Sequence, residues 1–131
     1  MIITTAAAYC LALNVYFEAR GETPDAQHMI AEVVMERIYE PGYPKDVCSV
    51  VWQKGQFSWT HDGKSDKPKD IKAWLAAQIV ANEVLLYEGE FNTGATHYAT
   101  RGSHPYWEKD MNIIGMYGNH IFYRKKSECD E

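Results

Sequence analysis

The stretch from Leu11 to Glu22, LALNVYFEARGE, constrains this chain more than any other. With Tyr9 before it, the segment carries apolar or aromatic side chains at Leu11, Leu13, Val15, Tyr16 and Phe17, so its helix has no polar face. A helix apolar nearly all round belongs at the centre of a domain. Gly21 supplies a stop signal, and Thr23-Pro24 has the form of a cap followed by the first residue of a new helix. Glu18 lies near the end of this buried segment, on the side of Leu11 and Asn14. Burial among apolar groups disfavours its anion, as does the negative end of the helix, while Arg20 and the amides of the following turn oppose both. Two readings stand side by side: a glutamate that reaches water at a helix end, or a carboxyl kept protonated near neutral pH and able to donate its proton.

The remaining chain supplies elements to surround that helix. Ala26, Ile30, Val33, Val34 and Ile38 recur at helical spacing, which predicts an amphipathic helix from Pro24 to about Tyr39 with Glu32, Glu36 and Arg37 outward. Pro41-Gly42-Tyr43-Pro44 is a turn. Asp46 to Gln53 reads as a short helix burying Val47, Val50, Val51 and Trp52. Gln56 to Thr60 alternates in the manner of a strand, and His61 to Lys69 is polar enough to be a solvated loop. Asp70 caps a helix expected to run to about Glu88, with Ile71, Trp74, Leu75, Ile79, Leu85 and Leu86 inward and Gly89 after it. Phe91 to Gly102 reads as extended chain, His104 to Trp107 as an aromatic turn, and Gly118 to Tyr123 as a turn followed by a strand. The expected fold class is α+β and mostly helical: one domain over 1–131, small extended pieces beside a helical cluster, and a flexible tail over 125–131.

Composition narrows the function. A chain of 131 residues is long enough for one real core and short for two. Its net charge of -5 argues against a general binder of nucleic acid. No run is long enough to span a membrane, and no basic-then-apolar leader is visible. Three cysteines, Cys10, Cys48 and Cys129, do not make a disulfide framework; Cys10 and Cys48 are expected as small buried hydrophobes, which suits a reducing compartment.

At the residues 14–22, NVYFEARGE, followed by Gln27 and the helix ending at Arg37, the chain resembles the SleB-like cell-wall hydrolase family. The resemblance continues through Phe57-Ser58-Trp59, Asp62-Gly63, Ala95-Thr96-His97-Tyr98, Pro105 and Trp107, and closes at Gly118-Asn119-His120-Ile121-Phe122-Tyr123. It implies a lysozyme-like fold, cleavage of peptidoglycan, and a catalytic acid at Glu18. A bare catalytic domain of this kind resembles a bacteriophage endolysin, held in the host cytoplasm as a monomer until its release to the wall. The implied bond is the β-1,4 link between N-acetylmuramic acid and N-acetylglucosamine. A lytic transglycosylase needs one carboxyl with a pKa raised toward ~6 and no cofactor. A muramidase needs a second carboxylate about 5–9 Å away, for which Asp62 and Glu22 are the candidates. Tyr98 and Trp107 are candidates to stack on sugars, and Gln56, Ser58 and His97 to hydrogen-bond them.

Three rivals are weaker. A zinc amidase is disfavoured because none of the five histidines, His28, His61, His97, His104 and His120, forms the helical two-histidine metal motif. A cysteine peptidase would pair Cys48 with His97 or His120, but a thiol among valines ionises poorly. A non-catalytic saccharide-binding module would use the same aromatics and keep Glu18 only as an acceptor.

Overall fold

A computed structural model describes residues 4–87 and 93–126 of the chain. Four α-helices come first: α1 (Thr5–Ala19), α2 (Pro24–Tyr39), α3 (Val47–Val51) and α4 (Ile71–Leu86). Three strands follow, β1 (His97–Thr100), β2 (Met111–Tyr117) and β3 (His120–Lys125). They make one antiparallel sheet in the order β1-β3-β2. The α+β class and the order of helices match the reading of the sequence.

Helix α1 is the axis, with every residue from Cys10 to Tyr16 buried. Helices α2, α3 and α4 pack around it, and one core cluster gathers Leu11, Val15 and Tyr16 with Val34, Val50, Val51, Val80 and Val84. A second cluster lies under the sheet, where Ala19, Met29, Ile30 and Val33 meet Ala95 and Phe122. Caps set the helix boundaries: Thr4, Thr23, Asp46 and Asp70 each accept a backbone N–H of the first turn they precede. Helix α1 ends as Gly21 turns at φ +83°, a conformation that favours glycine. The Ala19 carbonyl at the helix end accepts two donors, the Glu22 backbone N–H at 3.0 Å and Gln27 Nε2 at 3.2 Å.

Several sequence expectations are corrected. Gln56 to Thr60 is not a strand: Ser58–His61 is a 3-10 turn. The alternation has another origin, since Phe57 and Trp59 both point into the core while Ser58 stays exposed. Helix α4 presents only part of the expected face: Leu85 is buried and Trp74 packs half-buried on the core, but the other four residues expected inward do not. Ala77, Val80, Ala81, Val84 and Leu85 are buried, whereas Ile71, Leu75, Ile79 and Leu86 are exposed. Small side chains share the inner face, and bulk was the wrong guide to it. Tyr9 and Trp52 are exposed, while Glu32 and Arg37 are buried rather than outward. Strand β2 was not expected; Gly115 and a register shift between Ile113 and Gly115 hide its alternation.

The cysteines are also corrected. Cys10 and Cys48 form a disulfide between α1 and α3, with Cα atoms 5.3 Å apart, rather than remaining free thiols. The helices that pack against each other bring together two residues that are 38 apart in sequence. Such a closure restricts the unfolded chain by roughly 4 kcal/mol in the chain-entropy account. With the thiols paired, cysteine chemistry no longer argues for a reducing compartment. Lys125 is the last residue of β3 rather than part of a tail. The expected continuation of α4 to Glu88, Gly89, Phe91, Cys129 and the tail from 127 lie outside the described residues.

Candidate functional site

The C-terminal end of α1, the 3-10 turn and the first strand converge on a cleft of about 510 Å³. Glu18, Gln56, Ser58, His97, Tyr98 and Trp107 all line it, so the structure brings together every residue proposed from sequence as acid or sugar contact. Asp62 and Glu22 do not line it. Asp62 accepts the backbone N–H of Lys64 in its own exposed loop. Glu22 is engaged elsewhere, accepting the Asn119 backbone N–H at 3.2 Å and standing 3.2 Å from His120 Nδ1. Among the described residues Glu18 is the sole carboxylate in the cleft wall.

Local packing explains how each wall is held. Trp59 donates its indole N–H to the buried Oδ1 of Asn14 at 2.8 Å, which pins the 3-10 turn to α1 one helical turn before Glu18. Phe17 stacks on Trp59 with ring centroids 4.8 Å apart. The Tyr16 hydroxyl accepts from the backbone N–H groups of Lys69 and Asp70 and from Arg20, fixing the loop that leads into α4. Arg20 is thereby occupied away from Glu18.

Arg37 is the cation that faces Glu18 instead. It is 5% exposed, donates Nε–H to the Thr96 carbonyl at 2.8 Å and reaches Gln56 Oε1 at 3.3 Å. Its guanidinium also lies over the rings of Tyr43 and Phe57, at 5.2 and 5.1 Å from their centroids. One side chain therefore joins α2, the entry to β1, the turn before Ser58 and the Pro41–Pro44 segment. Sequence reading missed Arg37, Tyr43 and Tyr106 as cleft residues. For Arg37 the signal existed: it follows Ile30 and Val33 at helical spacing and so continues the buried stripe of α2.

The electrostatics of Glu18 are mixed. Burial raises its pKa above the ordinary carboxyl value, while the Tyr98 hydroxyl and the Arg37 charge pull it down. Tyr98 is half-buried with its hydroxyl enclosed, and that burial and the facing carboxylate push its pKa well above the phenol value. Its hydroxyl is directed at Glu18 but stands outside strict hydrogen-bond geometry, and it has no other partner among the described residues. His97 is held neutral, its pKa lowered to about 4 by burial and by Arg37. Its Nδ1 lies 2.9 Å from Thr96 Oγ1, and its ring leans on Trp107 at 4.9 Å. The cleft thus offers a carboxyl of raised pKa, a neutral imidazole, amide and hydroxyl groups, and aromatic rings from Tyr43, Tyr106 and Trp107.

The chemistry of the rivals changes with this geometry. Cys48 lies in the disulfide, which removes it as a nucleophile. No group of three or more His, Cys, Asp or Glu side chains among the described residues is arranged around a common metal position.

Comparison with known proteins places this geometry in a wider set. Residues 21–123 match the model of a family described as Cell Wall Hydrolase, a match that begins three residues after Glu18. A spore cortex-lytic enzyme of Halalkalibacterium halodurans is 31% identical over 117 residues, 86% of this chain and 33% of that protein. The spore cortex-lytic enzyme of Bacillus subtilis is 39% identical over 54 residues, 41% of this chain and 18% of that protein. The chain therefore spans a third or less of the length of these two relatives. Among solved structures, the catalytic domain of the germination-specific lytic transglycosylase SleB from Bacillus anthracis superposes with a TM-score of 0.76 at 21% identity, covering 93% of this chain and 97% of that one. The catalytic domain of the Bacillus cereus SleB protein gives 0.70 at 23% identity, with coverage of 95% and 94%. The fold is that of the SleB catalytic domain.

Proposed function

This chain belongs to the cell wall hydrolase family, and from that premise we propose that it is a lytic transglycosylase. Its substrate is the β-1,4 bond between N-acetylmuramic acid and N-acetylglucosamine in peptidoglycan, and Glu18 is its single catalytic carboxyl. The observation that carries the reading is the position of Glu18: a carboxyl of raised pKa at the end of the buried axial helix, the sole carboxylate among the described residues in the wall of a cleft rich in aromatic and neutral polar groups.

The residues divide the work as follows. Protonated Glu18 gives its proton to the bridging oxygen as the bond to C1 of the muramic acid breaks, through an oxocarbenium-like transition state. The anion left behind is stabilised by the Arg37 charge and by the Tyr98 hydroxyl directed at it. Ionised Glu18 then accepts the proton of the muramic acid C6 hydroxyl as that oxygen closes on C1, giving a 1,6-anhydro end and restoring the acid. Acid and base duty from one group requires a pKa between the extremes. Burial on one side and Tyr98 with Arg37 on the other are the opposing influences that set it. Gln56, Ser58 and His97 supply hydrogen bonds for acetamido groups, with neutral His97 able to donate or accept. Trp107, Tyr43 and Tyr106 offer ring faces for sugars.

The proposal extends to bacteriolysis by an endolysin acting on the wall of its host. Mass spectrometry of purified peptidoglycan after digestion tests the chemistry. Anhydro-muramic ends are expected from the parent and none from Glu18→Gln. Reducing muramic ends would overturn the single-carboxylate mechanism, and freed peptides would overturn the glycosidic reading altogether. Lysis of permeabilised bacteria by the added protein tests the biological role.

A further inference from the structure

The cleft does not end at Trp107. Tyr43, His97 and Trp107 are shared with a second cavity of about 460 Å³. That cavity in turn shares Glu40, Thr96 and Lys125 with a third, of about 380 Å³. Through these shared residues the three adjoin in series as one trough, running from Glu18 across the end of the sheet where β1 and β2 begin and β3 finishes. Its character changes on the way. The Glu18 end is aromatic and neutral apart from Glu18 and Arg37, whereas the far end carries Arg124, Lys125 and Lys126 with Glu40 and Asp110 near them. Arg124 and Lys125 have no carboxylate at ion-pair distance among the described residues.

We infer that the far end of the trough is a binding site for the stem peptide carried by the muramic acid, and that it gives the enzyme a preference for peptide-bearing glycan. The inference rests on the glycosidic reading of Glu18. If Glu18 protonates the oxygen leaving C1 of a muramic acid, that sugar sits beside Glu18 and its lactyl-linked peptide must leave the cleft close by. The passage between Tyr43, His97 and Trp107 is an exit into a charged cavity. Stem peptides carry free carboxylates and, at the diamino acid, an ammonium group. Arg124, Lys125 and Lys126 match the carboxylates, and Glu40 with Asp110 match the ammonium. A glycan stripped of its peptides keeps only the lactyl carboxylate of each muramic acid, close to the sugar ring beside Glu18, and has no ammonium, so nothing on it extends to the charges at the far end of the trough.

The test compares two substrates with the full chain: glycan oligomers bearing intact stem peptides, and the same oligomers after their peptides have been removed. The parent is expected to favour the peptide-bearing oligomer in kcat/KM by about three- to tenfold, the range for one or two exposed charge-assisted contacts, and mainly through KM. That preference should shrink as salt is raised. In Arg124→Gln/Lys126→Gln the ratio should fall to near one. Amidating the peptide carboxylates should produce the same fall in the parent, with the protein untouched, which keeps the test decisive if the double variant folds poorly. Equal rates on both oligomers by the parent, or a preference unchanged by amidation or by the double variant, would overturn the inference while leaving the glycosidic reading intact. A parent that cleaves neither oligomer would remove that reading and this inference together.

Discussion

Glu18 and Glu22 are one helical turn apart in sequence and flank the stop at Gly21, yet the fold uses them in opposite ways. Glu18 is the last acid of α1 and faces Tyr98 of β1 across the cleft. Glu22, just beyond the stop, faces the turn before β3, accepts the Asn119 N–H and stands beside His120. The partners of the two acids meet, since the rings of Tyr98 and His120 pack edge to face with centroids 5.5 Å apart. The pair teaches that chemistry at this helix end depends on partner count. Glu22, with a backbone N–H and an imidazole at hand, fastens a turn, while Glu18, facing the Tyr98 hydroxyl and the Arg37 charge in a buried setting, has its pKa raised and is the acid proposed to react.

The sharpest way to break that contrast is to neutralise each acid in turn. Glu18→Gln should lower kcat by about 10³-fold, within the range for loss of a general acid, with its circular dichroism unchanged. Glu22→Ala should leave most of the lytic rate. If Glu22→Ala proved as inactive as Glu18→Gln while still folded, the assignment of roles would be reversed. A smaller but still large effect is expected at the contact of Glu22 with the hairpin turn. Gly118 sits at φ +58°, and a Cβ there would run into the Glu22 carboxylate and, at 2.9 Å, the Cβ of Ala26. Gly118→Ala should therefore cost about 2–3 kcal/mol in chemical denaturation, combining left-handed strain with displacement of the fastener. Glu22→Ala itself should cost about 1–2 kcal/mol, the loss of the hydrogen bond from the Asn119 N–H and of the close contact with His120 to a partly exposed acid. A Gly118→Ala protein as stable as the parent would show that the turn does not rest on Glu22.

Much of this contrast was visible in the sequence, and what was hidden was hidden for physical reasons. The apolar run before Glu18, the Gly21 stop and the Thr23 cap are local signals, and they place the acid at the end of a buried helix. The three sites on the opposite wall, His97, Tyr98 and Trp107, were reached only through the resemblance, because nothing local says that a strand lies across from a helix end. Arg37 was misread because a charge at the end of an amphipathic helix is expected in water. The stripe of Ile30 and Val33 that it continues argued otherwise. Helix α4 misled for the converse reason: Ile71, Leu75, Ile79 and Leu86 are exposed, while small Ala77 and Ala81 share the buried face with Val80, Val84 and Leu85. The Cys10–Cys48 pairing depends on the packing of α3 against α1, a long-range fact that an odd count of cysteines conceals.

The smallest expected effect is the most informative about why Glu18 differs from its neighbour. In the proposed mechanism Glu18 must start protonated, so activity should fall as pH rises through its raised pKa. Tyr98 is one of two influences holding that pKa down. Tyr98→Phe removes the hydroxyl but keeps the ring that packs on His120 and Phe122. The alkaline limb of the kcat profile should then move to higher pH, by a few tenths of a unit to about one unit, since one unit equals about 1.4 kcal/mol of differential interaction with the anion. Stability should respond with the same sign. Between the ordinary carboxyl value and the raised one, the folded state binds more protons at Glu18 than the unfolded chain does. This site's contribution therefore weakens as pH rises across that window, and it weakens further in Tyr98→Phe. Glu18→Gln should erase this part of the pH dependence in denaturant titrations. A limb that stayed in place, or moved toward lower pH, would mean that Tyr98 serves only the sugar, and that Arg37 alone separates the acid that reacts from the acid that holds the turn.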